Sequence, residues 1–434
     1  MDPIAIGLTG IAAMFVLLAL RIPVGIVLIL VGTIGFAAVT GVEPALRMLG
    51  TLPFEHSYVY ELSVIPMFLL MGNFAILSGL SRDAYAAAYT LIGHWRGGLA
   101  SATVASCSIF AAVSGSSLAT AATMGQVALP EMRKYRYSPR LSTGVVAAGG
   151  TLGILIPPST GFILYGLLTQ QSIGQLFLAG FLPGLLLTVL FMATVYVLTR
   201  LRPSNGPAGP RTTGREKVRA LGQAWSIFAL IFIVIGGIYS GIFTPNEAAA
   251  IGAFVAMLLA IQRRALGIGA LRKALADSVN TTVMIMLILI GAYVLNPFLA
   301  VTNIPQTLAD FVEGLDAPPV VILSCILFGY IVLGTFFESF AMLVLTLPII
   351  FPLIMNLGYD PIWFGVLMVI VIEMGLITPP VGLNVFVVKG IARDVPMKEI
   401  FMGIAPFWLA MLTCLILIVA FPQIALFLPQ SMSR

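Results

Sequence analysis

The chain has 434 residues, of which 59% are hydrophobic and 9% are charged, and its mean hydropathy is +1.07. A soluble protein of this length would need far more polar surface to cover its core, so this composition excludes an ordinary soluble enzyme. The net charge of +5 lies largely in loops, where it reports membrane orientation and not nucleic-acid binding. Apolar runs of about 20 residues recur, which is typical of an α-helical protein that crosses a membrane repeatedly, and the alternation of a β-barrel is absent.

Residue types that form metal or catalytic centres are few. Cys107, Cys325 and Cys414 lie in separate apolar segments without a C-x-x-C pair, so neither a disulfide framework nor a metal knuckle is indicated. His56 and His94 lie far apart in the sequence, which argues against a zinc site. The sequence shows no nucleophile–base set and no Walker motif, so we predict neither an enzyme nor an ATP-driven pump.

Twelve apolar runs follow one another along the chain. They cover residues 4–20, 22–40, 61–80, 98–130, 141–170, 175–199, 222–241, 244–262, 279–300, 319–353, 362–390 and 400–426. Runs 98–130 and 319–353 carry polar middles, SGSS at 114–117 and GTFFES at 334–339, and their arms are too short to cross a bilayer. We therefore predict an all-α fold with ten crossings and two re-entrant hairpins, which are tolerated only inside protein or beside a watery cavity.

Loop charges orient the predicted crossings. Loops 131–140, 200–219 and 263–273 are rich in Arg and Lys, and the positive-inside rule places all three in the cytoplasm. The loop 303–317 carries acidic residues and no basic one, as an external loop should. These loop assignments are consistent with ten crossings and two hairpins, and they place both chain termini outside.

The two halves of the chain carry matching residues on either side of a polar segment, RPSNGPAGPRTTGREKVR at 202–219. A shift of 222 residues places Pro23 on Pro245, Ser117 on Ser339, Pro130 on Pro352, Tyr137 on Tyr359, Pro139 on Pro361, Gly153 on Gly375, and Pro157–Pro158 on Pro379–Pro380. Each half has five predicted crossings, an odd number, so the second half is inverted. We predict a first repeat over 1–200, a cytoplasmic linker over 201–221 and a second repeat over 222–434, the layout of secondary transporters.

Each half also interrupts a helix at two adjacent prolines. Residues 150–161 read GTLGILIPPSTG, and residues 374–384 read MGLITPPVGLN. Proline lacks the N–H that a helix needs and clashes with the preceding turn, so we predict broken helices within 141–170 and 362–390. Freed backbone groups are costly in lipid, and transporters place such breaks at their binding sites.

The hairpin tips and the helix breaks offer oxygen ligands and helix N-termini, which suit Na⁺ and anions respectively. The predicted Na⁺ ligands are Ser114, Gly115, Ser117, Gly150, Gly153, Thr335, Ser339, Gly375 and Thr378. The predicted substrate-binding residues are Ser116, Ser159, Thr160, Ser339 and Asn384. Two pseudo-symmetric cation sites with a substrate between them is the simplest arrangement, and we expect two or more Na⁺ and no organic cofactor.

A purely structural interpretation of these residues is also open. Small residues let helices pack closely, and a single Ser or Thr can bond a carbonyl of the preceding turn. The paired constellation is more specific than any of its members. Glu338 and Glu373 are the most deeply placed acidic residues, where charge is costly and usually functional. Glu338 lies at a tip, whereas Glu373 could pair with a neighbour or carry a proton.

Five stretches resemble the large membrane subunit of TRAP (tripartite ATP-independent periplasmic) transporters. They read PMFLLMGNFAILSGLSRDAY, GGLASATVASCSIFAAVSGSSLATAATMGQVALPEM, AAGGTLGILIPPST, GIYSGIFTPNEAAAIGAF and MGLITPPVGLNVFVVKGIA. The resemblance extends from about residue 10 to residue 425. It implies a Na⁺-driven elevator importer of organic acids, such as sugar acids or C4-dicarboxylates, in a bacterial or archaeal inner membrane, with Na⁺ at the tips and breaks.

The resemblance also implies two partners. A soluble periplasmic binding protein delivers the substrate, and a small four-helix membrane subunit completes the transporter. Because the chain begins with the large subunit's first helix, we expect the small subunit to be a separate chain. The second tip, GTFFES, varies among family members, so the family's ion-binding residues can be assigned to it less directly. A stand-alone Na⁺/dicarboxylate elevator symporter is the alternative.

Overall fold

The computed structural model describes residues 2–314 and 317–432, so residues 315–316 of the predicted external loop lie outside the described residues. The helices are α1 (Pro3–Ala19), α2 (Val24–Thr40), α3 (Val42–Ser57), α4 (Val64–Leu77), α5 (Leu80–Ile92), α6 (Gly98–Ser114), α7 (Ser117–Lys134), α8 (Pro139–Leu155), α9 (Thr160–Thr169), α10 (Ile173–Leu201), α11 (Gly214–Gln223), α12 (Trp225–Ile231), α13 (Gly237–Tyr239), α14 (Pro245–Gln262), α15 (Ile268–Val301), α16 (Ile304–Glu313), α17 (Pro319–Gly334), α18 (Ser339–Asn356), α19 (Pro361–Gly375), α20 (Leu383–Ile391), α21 (Met397–Ala420) and α22 (Gln423–Met432). Short 3₁₀ turns cover Tyr60–Ser63 and Pro203–Asn205, and a π-helical turn, Phe232–Gly236, joins α12 to α13. The described residues contain no β-strand, which confirms the all-α prediction.

Both re-entrant hairpins are present. In the first, α6 and α7 are joined by Gly115 and Ser116, and Gly115 has a φ of +60°, a left-handed conformation that favours glycine. In the second, α17 and α18 are joined by residues 335–338. The helices α7 and α18 begin and end 222 residues apart, which agrees with the repeat read from the sequence.

Both broken helices are also present. The first consists of α8 and α9 with a break at 156–159, and the second consists of α19 and α20 with a break at 376–382. Each break contains its Pro-Pro pair, and both prolyl bonds are cis. Pro139 and Pro361 each occupy the first position of their helix. A backbone N–H at that position would have no partner within the helix, and the fixed φ of proline matches the helical value.

The helices pack as two groups. In the scaffold group, α1 to α4 pack with α14 and α15, and α12 and α13 pack against α14. In the core group, the hairpins α6–α7 and α17–α18 pack with both broken helices, α10 packs with α6 and with the broken helices, and α21 packs with the broken helices and α10. The helices α10 and α21 therefore belong to the core group, although the sequence did not assign them there.

The predicted linker lies along the base of the first hairpin. Gly97 N donates to the carbonyl oxygen of Gly206 at 2.9 Å, and Gly209 N donates to that of Gly93 at 3.0 Å. Its last part is helical, since α11 begins at Gly214. The linker is thus docked on the protein over part of its length.

Among the described residues, seven helices are long and apolar enough to cross a membrane, or eight if the bent pair Gly214–Gln223 and Trp225–Tyr239 counts as one span. The shorter apolar helices include α1 and α2, with 17 residues each, and α19, with 15. Length therefore supports a multi-pass membrane protein, and the ten crossings stay a prediction.

Candidate functional site: hairpin tips and helix breaks

The first hairpin tip lies directly against the first helix break. The carbonyl oxygen of Gly115 accepts hydrogen bonds from the N–H of Thr160 at 3.3 Å and from its hydroxyl at 2.8 Å. A Cβ atom at Gly153 would lie 2.4 Å from the carbonyl oxygen of Ser116, so only glycine permits this approach. Four of the predicted site residues are thus brought together here.

The hydroxyl groups around the first tip have local partners. The Ser114 and Thr120 hydroxyl oxygens lie 2.7 Å apart. Ser116 and Ser159 are the N-cap residues of α7 and α9, where their hydroxyls accept backbone N–H bonds at 3.3 and 3.4 Å. Two helix N-termini therefore begin where the tip meets the break, and their dipoles favour a negative group.

The second tip meets the second break in the same way. A Cβ atom at Gly375 would lie 2.5 Å from Cα and from the carbonyl carbon of Gly334. Since residues 153 and 375 are repeat mates, each half uses a glycine at this position to admit its own hairpin. The repeated close approach makes the two tips comparable places for binding.

The predicted hydroxyl ligands of the second half are also engaged locally. Thr335 donates to the Val332 carbonyl at 2.8 Å, and Thr378 donates to the Met374 carbonyl at 2.5 Å. Thr378 also accepts a hydrogen bond from the indole N–H of Trp408 at 3.0 Å.

The acidic residue at the second tip caps the hairpin's second arm. Glu338 is the N-cap residue of α18, and its Oε2 accepts from Phe340 N at 3.0 Å and from Ala341 N at 3.3 Å. Ser339, the first residue of α18, is buried beside it. The carboxylate thus stabilises the N-terminus of α18.

The two halves meet through three predicted site residues and one further carboxylate. The Ser117 hydroxyl donates to Oε2 of Glu373 at 2.7 Å. The side-chain N–H of Asn384 reaches the Ala147 carbonyl at 3.5 Å. A Cβ atom at Gly150 would lie 3.2 Å from both the Asn384 amide nitrogen and the Ser117 carbonyl oxygen. The first tip therefore contacts the second broken helix as well as its own.

Sequence reasoning missed the partners that come from distant segments. It noted Glu373 as deeply placed but did not pair it with Ser117, and it did not find Trp408 beside Thr378. The sequence separations are 256 and 30 residues, and no local pattern encodes such contacts. The 222-residue repeat indicated only that the two breaks are equivalent.

A cavity of about 720 Å³ opens where α7 ends, on the side that the loop charges assign to the cytoplasm. Arg133, Lys134 and Arg393 line it together with Asp394. One guanidinium nitrogen of Arg133 contacts both Asp394 oxygens at 2.7 Å and holds the pKa of that carboxyl below its usual value. Three cations facing one carboxylate give this opening a positive potential, which suits an anion.

Known proteins resemble the chain over nearly its whole length. Residues 11–424 match the family described as "Tripartite ATP-independent periplasmic transporter, DctM component". The C4-dicarboxylate TRAP transporter large permease protein DctM of Pseudomonas aeruginosa is 39% identical over 387 residues, which are 89% of this chain and 90% of that protein. The sialic acid TRAP transporter large permease protein SiaM of Vibrio cholerae is 34% identical over 372 residues, 86% of each chain.

Two further comparisons extend this result. The isethionate TRAP transporter permease protein DctMQ of Oleidesulfovibrio alaskensis is 33% identical over 428 residues, which are 98% of this chain and 66% of that protein. The crystal structure of the Alcanivorax borkumensis YdaH transporter matches with a TM-score of 0.63 and 17% identity, covering 87% of this chain and 90% of the other. At that identity the likeness concerns the fold alone.

Proposed function

Because the chain belongs to the tripartite ATP-independent periplasmic transporter family, as its large, multi-pass subunit in the bacterial inner membrane and not as an enzyme, we propose that it imports organic acids driven by Na⁺. The observation that carries the proposal is the repeated contact of a hairpin tip with a helix break at Gly153 and at Gly375. Each contact gathers backbone carbonyls and hydroxyls in a buried place. Such groups at discontinuous helices are the usual ligands of coupling ions in secondary transporters.

Na⁺ suits the electrical demand on an importer of anions. Moving a dianion inward against a potential of 100 mV costs about 4.6 kcal/mol, from about 2.3 kcal/mol per charge. Two Na⁺ cancel this cost, and a third ion or a monoanionic substrate gives net electrical drive. Two repeat-related tips match a minimum of two ions.

An organic acid suits the groups around the tips. The relatives named above carry C4-dicarboxylate, sialic acid and isethionate in their names, and all three are small organic anions. The N-termini of α7 and α9 favour a carboxylate between the tips, within reach of Ser116, Ser159, Thr160, Ser339 and Asn384. The basic cytoplasmic cavity beside Arg133 would receive the anion on release.

The partners follow from the family. A periplasmic binding protein delivers the substrate, and a small four-helix membrane subunit packs against the scaffold group. During transport the core group moves as one body past the scaffold group, as in an elevator. The division of the helices into these two packed groups supports such a movement.

Reconstitution tests the proposal. Proteoliposomes would contain the chain alone, or the chain with the small subunit and the binding protein of the same transporter. Labelled succinate and labelled N-acetylneuraminate would serve as probe substrates, with and without an inward Na⁺ gradient. We expect uptake only with both partners and with Na⁺. Robust uptake by the chain alone would instead favour a stand-alone symporter, and uptake indifferent to Na⁺ would exclude sodium coupling.

A further inference from the structure

The helix that follows the linker, α11, carries an excess of basic side chains. Residues 211–219 contain one acid, Glu216, and four bases, Arg211, Arg215, Lys217 and Arg219. The Glu216 carboxylate is engaged in the helix cap, where it accepts a hydrogen bond from the backbone N–H of Thr213 at 2.7 Å. None of the four bases forms an ion pair within the described part of the chain. This segment therefore has positive charge that the protein itself does not neutralise.

The same helix has an exposed apolar face. Val218 is 72% exposed and Leu221 is 40% exposed, although α11 packs against α5 and its Ala220 is buried. Residues three apart lie on one side of a helix, so Val218 and Leu221 share a face. No described part of the chain covers this face.

The bases border the apolar face. Successive residues turn by about 100° around a helix, which places Lys217 at one edge of the face and Arg215 and Arg219 toward the other. The acid Glu216 lies on the opposite side by the same angle. An apolar face bordered by Lys and Arg is typical of a helix that lies in the membrane interface. The long stems of these bases lie along apolar surface while their charged ends reach the lipid phosphates.

The apolar face continues into a membrane-spanning segment. The helix α11 and the segment Trp225–Tyr239 meet at a bend of 52°. Trp225, Phe228 and Phe232 are all exposed along that segment, as side chains that face lipid should be. Tryptophan is enriched where a helix leaves the bilayer. We therefore place α11 at the membrane surface, on the side that the loop charges assign to the cytoplasm.

We propose that the exposed face of α11, formed by Val218 and Leu221 and bordered by Arg215, Lys217 and Arg219, binds anionic phospholipid of the cytoplasmic leaflet. The apolar side chains enter the boundary between headgroups and acyl chains, and the bases contact the lipid phosphates. The lipid supplies the negative charge that this segment lacks. The binding requires neither Na⁺ nor a transported substrate, so it is independent of the proposed sodium coupling.

The lipid-bound helix holds the connection between the scaffold group and the core group. The Thr212 hydroxyl, just before α11, donates to the Thr90 carbonyl of α5 at 2.7 Å, and α11 packs along α5. In turn, α5 joins α4 of the scaffold group to α6 of the core group. Binding of lipid by α11 therefore keeps this connecting segment at the cytoplasmic surface of the membrane.

Quenching of a fluorophore by brominated lipid tests the proposal. Val218→Cys, in a full chain whose three native cysteines have been replaced, is labelled with bimane and placed in bilayers, with and without the small subunit. Brominated phosphatidylglycerol and brominated phosphatidylcholine are the probes, and quenching against their fraction in the bilayer gives their relative affinity for the α11 face.

The expected preference follows from the charges. One base near an anionic surface contributes about 5-fold in binding. We expect phosphatidylglycerol to be preferred by at least about 5-fold, and the double variant Arg215→Gln, Arg219→Gln to lose most of this preference. Arg215→Lys with Arg219→Lys keeps the charge and should keep the preference. Arg272→Gln with Lys273→Gln is a matched control, because it removes two exposed bases from the start of α15, and it should also keep the preference.

Four results would overturn the proposal, in variants that thermal unfolding shows to be folded. Equal quenching by the two lipids would remove the preference for an anionic lipid. No quenching by either would show that the face does not lie in lipid. Quenching that disappears when the small subunit is added would assign the face to a protein interface. Loss of the preference in the α15 control as well would indicate a general effect of surface charge and not a site on α11.

Discussion

The glycine at the first helix break offers a sharp test of the tip geometry. In Gly153→Ala, the added methyl carbon would lie 2.4 Å from the Ser116 carbonyl oxygen and 2.8 Å from the Thr120 hydroxyl oxygen, whereas ordinary contact begins at 3.4 Å. The first hairpin tip must therefore retreat by about 1 Å, because its backbone carbonyl cannot rotate away as a flexible side chain could. The repeat mate, Gly375→Ala, meets the backbone of Gly334 at 2.5 Å and should behave alike.

The expected magnitude follows from opposing effects. Alanine in a helix interior is more favourable than glycine by about 1 kcal/mol. Overpacking a filled site costs typically about 1–3 kcal/mol, so the net loss of stability should be at most about 2 kcal/mol. The effect on ion binding should be larger, because a misplacement of about 1 Å can cost about 100-fold in rate at a catalytic site, and coordination of an ion depends on ligand positions in the same way. We expect Na⁺ affinity to fall by about 10- to 100-fold.

The assay is ²²Na⁺ binding to the purified chain together with its thermal unfolding. Gly329→Ala on α17 and Gly390→Ala on α20 are matched controls, because a Cβ atom at either position has nothing within 4 Å. Both controls should keep wild-type Na⁺ affinity. A Gly153→Ala chain that is folded and binds Na⁺ like the wild type would refute the assignment of this contact to ion binding.

Two other predictions concern the ion and the movement. Replacing either of the repeat mates Ser117 and Ser339 by Ala should weaken the Na⁺ dependence of uptake while the transporter still folds and assembles, and an unchanged sodium response in both variants would make these serines packing residues. Cysteines at Phe15 on α1 and Phe337 at the second tip, whose rings lie 5.9 Å apart, should stop transport when they are joined by a bifunctional thiol reagent, because the link fixes the core group to the scaffold group.

The crosslinking test needs a clean background and a control pair. Cys107, Cys325 and Cys414 would be replaced first. Cysteines at Asn73 and Ser278, whose side chains are hydrogen-bonded at 2.7 Å, would link two helices within the scaffold group and should leave transport intact. Transport that continues through the link between α1 and the second tip would rule out an elevator and indicate gating around a fixed body.

Features that repeat along the chain could be predicted from the sequence. The hairpins follow from polar residues inside apolar runs. The broken helices and their equivalence follow from prolines that recur in one register. Both signals reflect local constraints on the backbone. The predicted hairpin of 98–130 and the observed α6 and α7, which end at Lys134, differ by one turn, since the apolar run ends before the helix does.

Contacts between the halves could not be predicted from the sequence. The bond between Ser117 and Glu373 joins residues with no register relation, since the repeat mate of Ser117 is Ser339 and the mate of Glu373 is Thr151. Such a contact depends on how the inverted halves are placed against each other, which hydrophobic patterning leaves open. The packing of α10 and α21 with the broken helices was missed for the same reason.

The asymmetry between the halves bears on how coupling could work. The tips are alike in backbone, since each hairpin lies against a glycine. Both deeply placed carboxyl groups, the partly buried Glu338 and the buried Glu373, lie in the second half. The first half contributes hydroxyls, carbonyls and helix N-termini to the contact and no charge of its own. The acidic side chains at the contact therefore come from one half, and oxygen ligands come from both. On the proposed sodium coupling, an anionic substrate would approach these carboxyl groups at lower electrostatic cost once cations had bound, and we therefore expect Na⁺ to bind before the substrate.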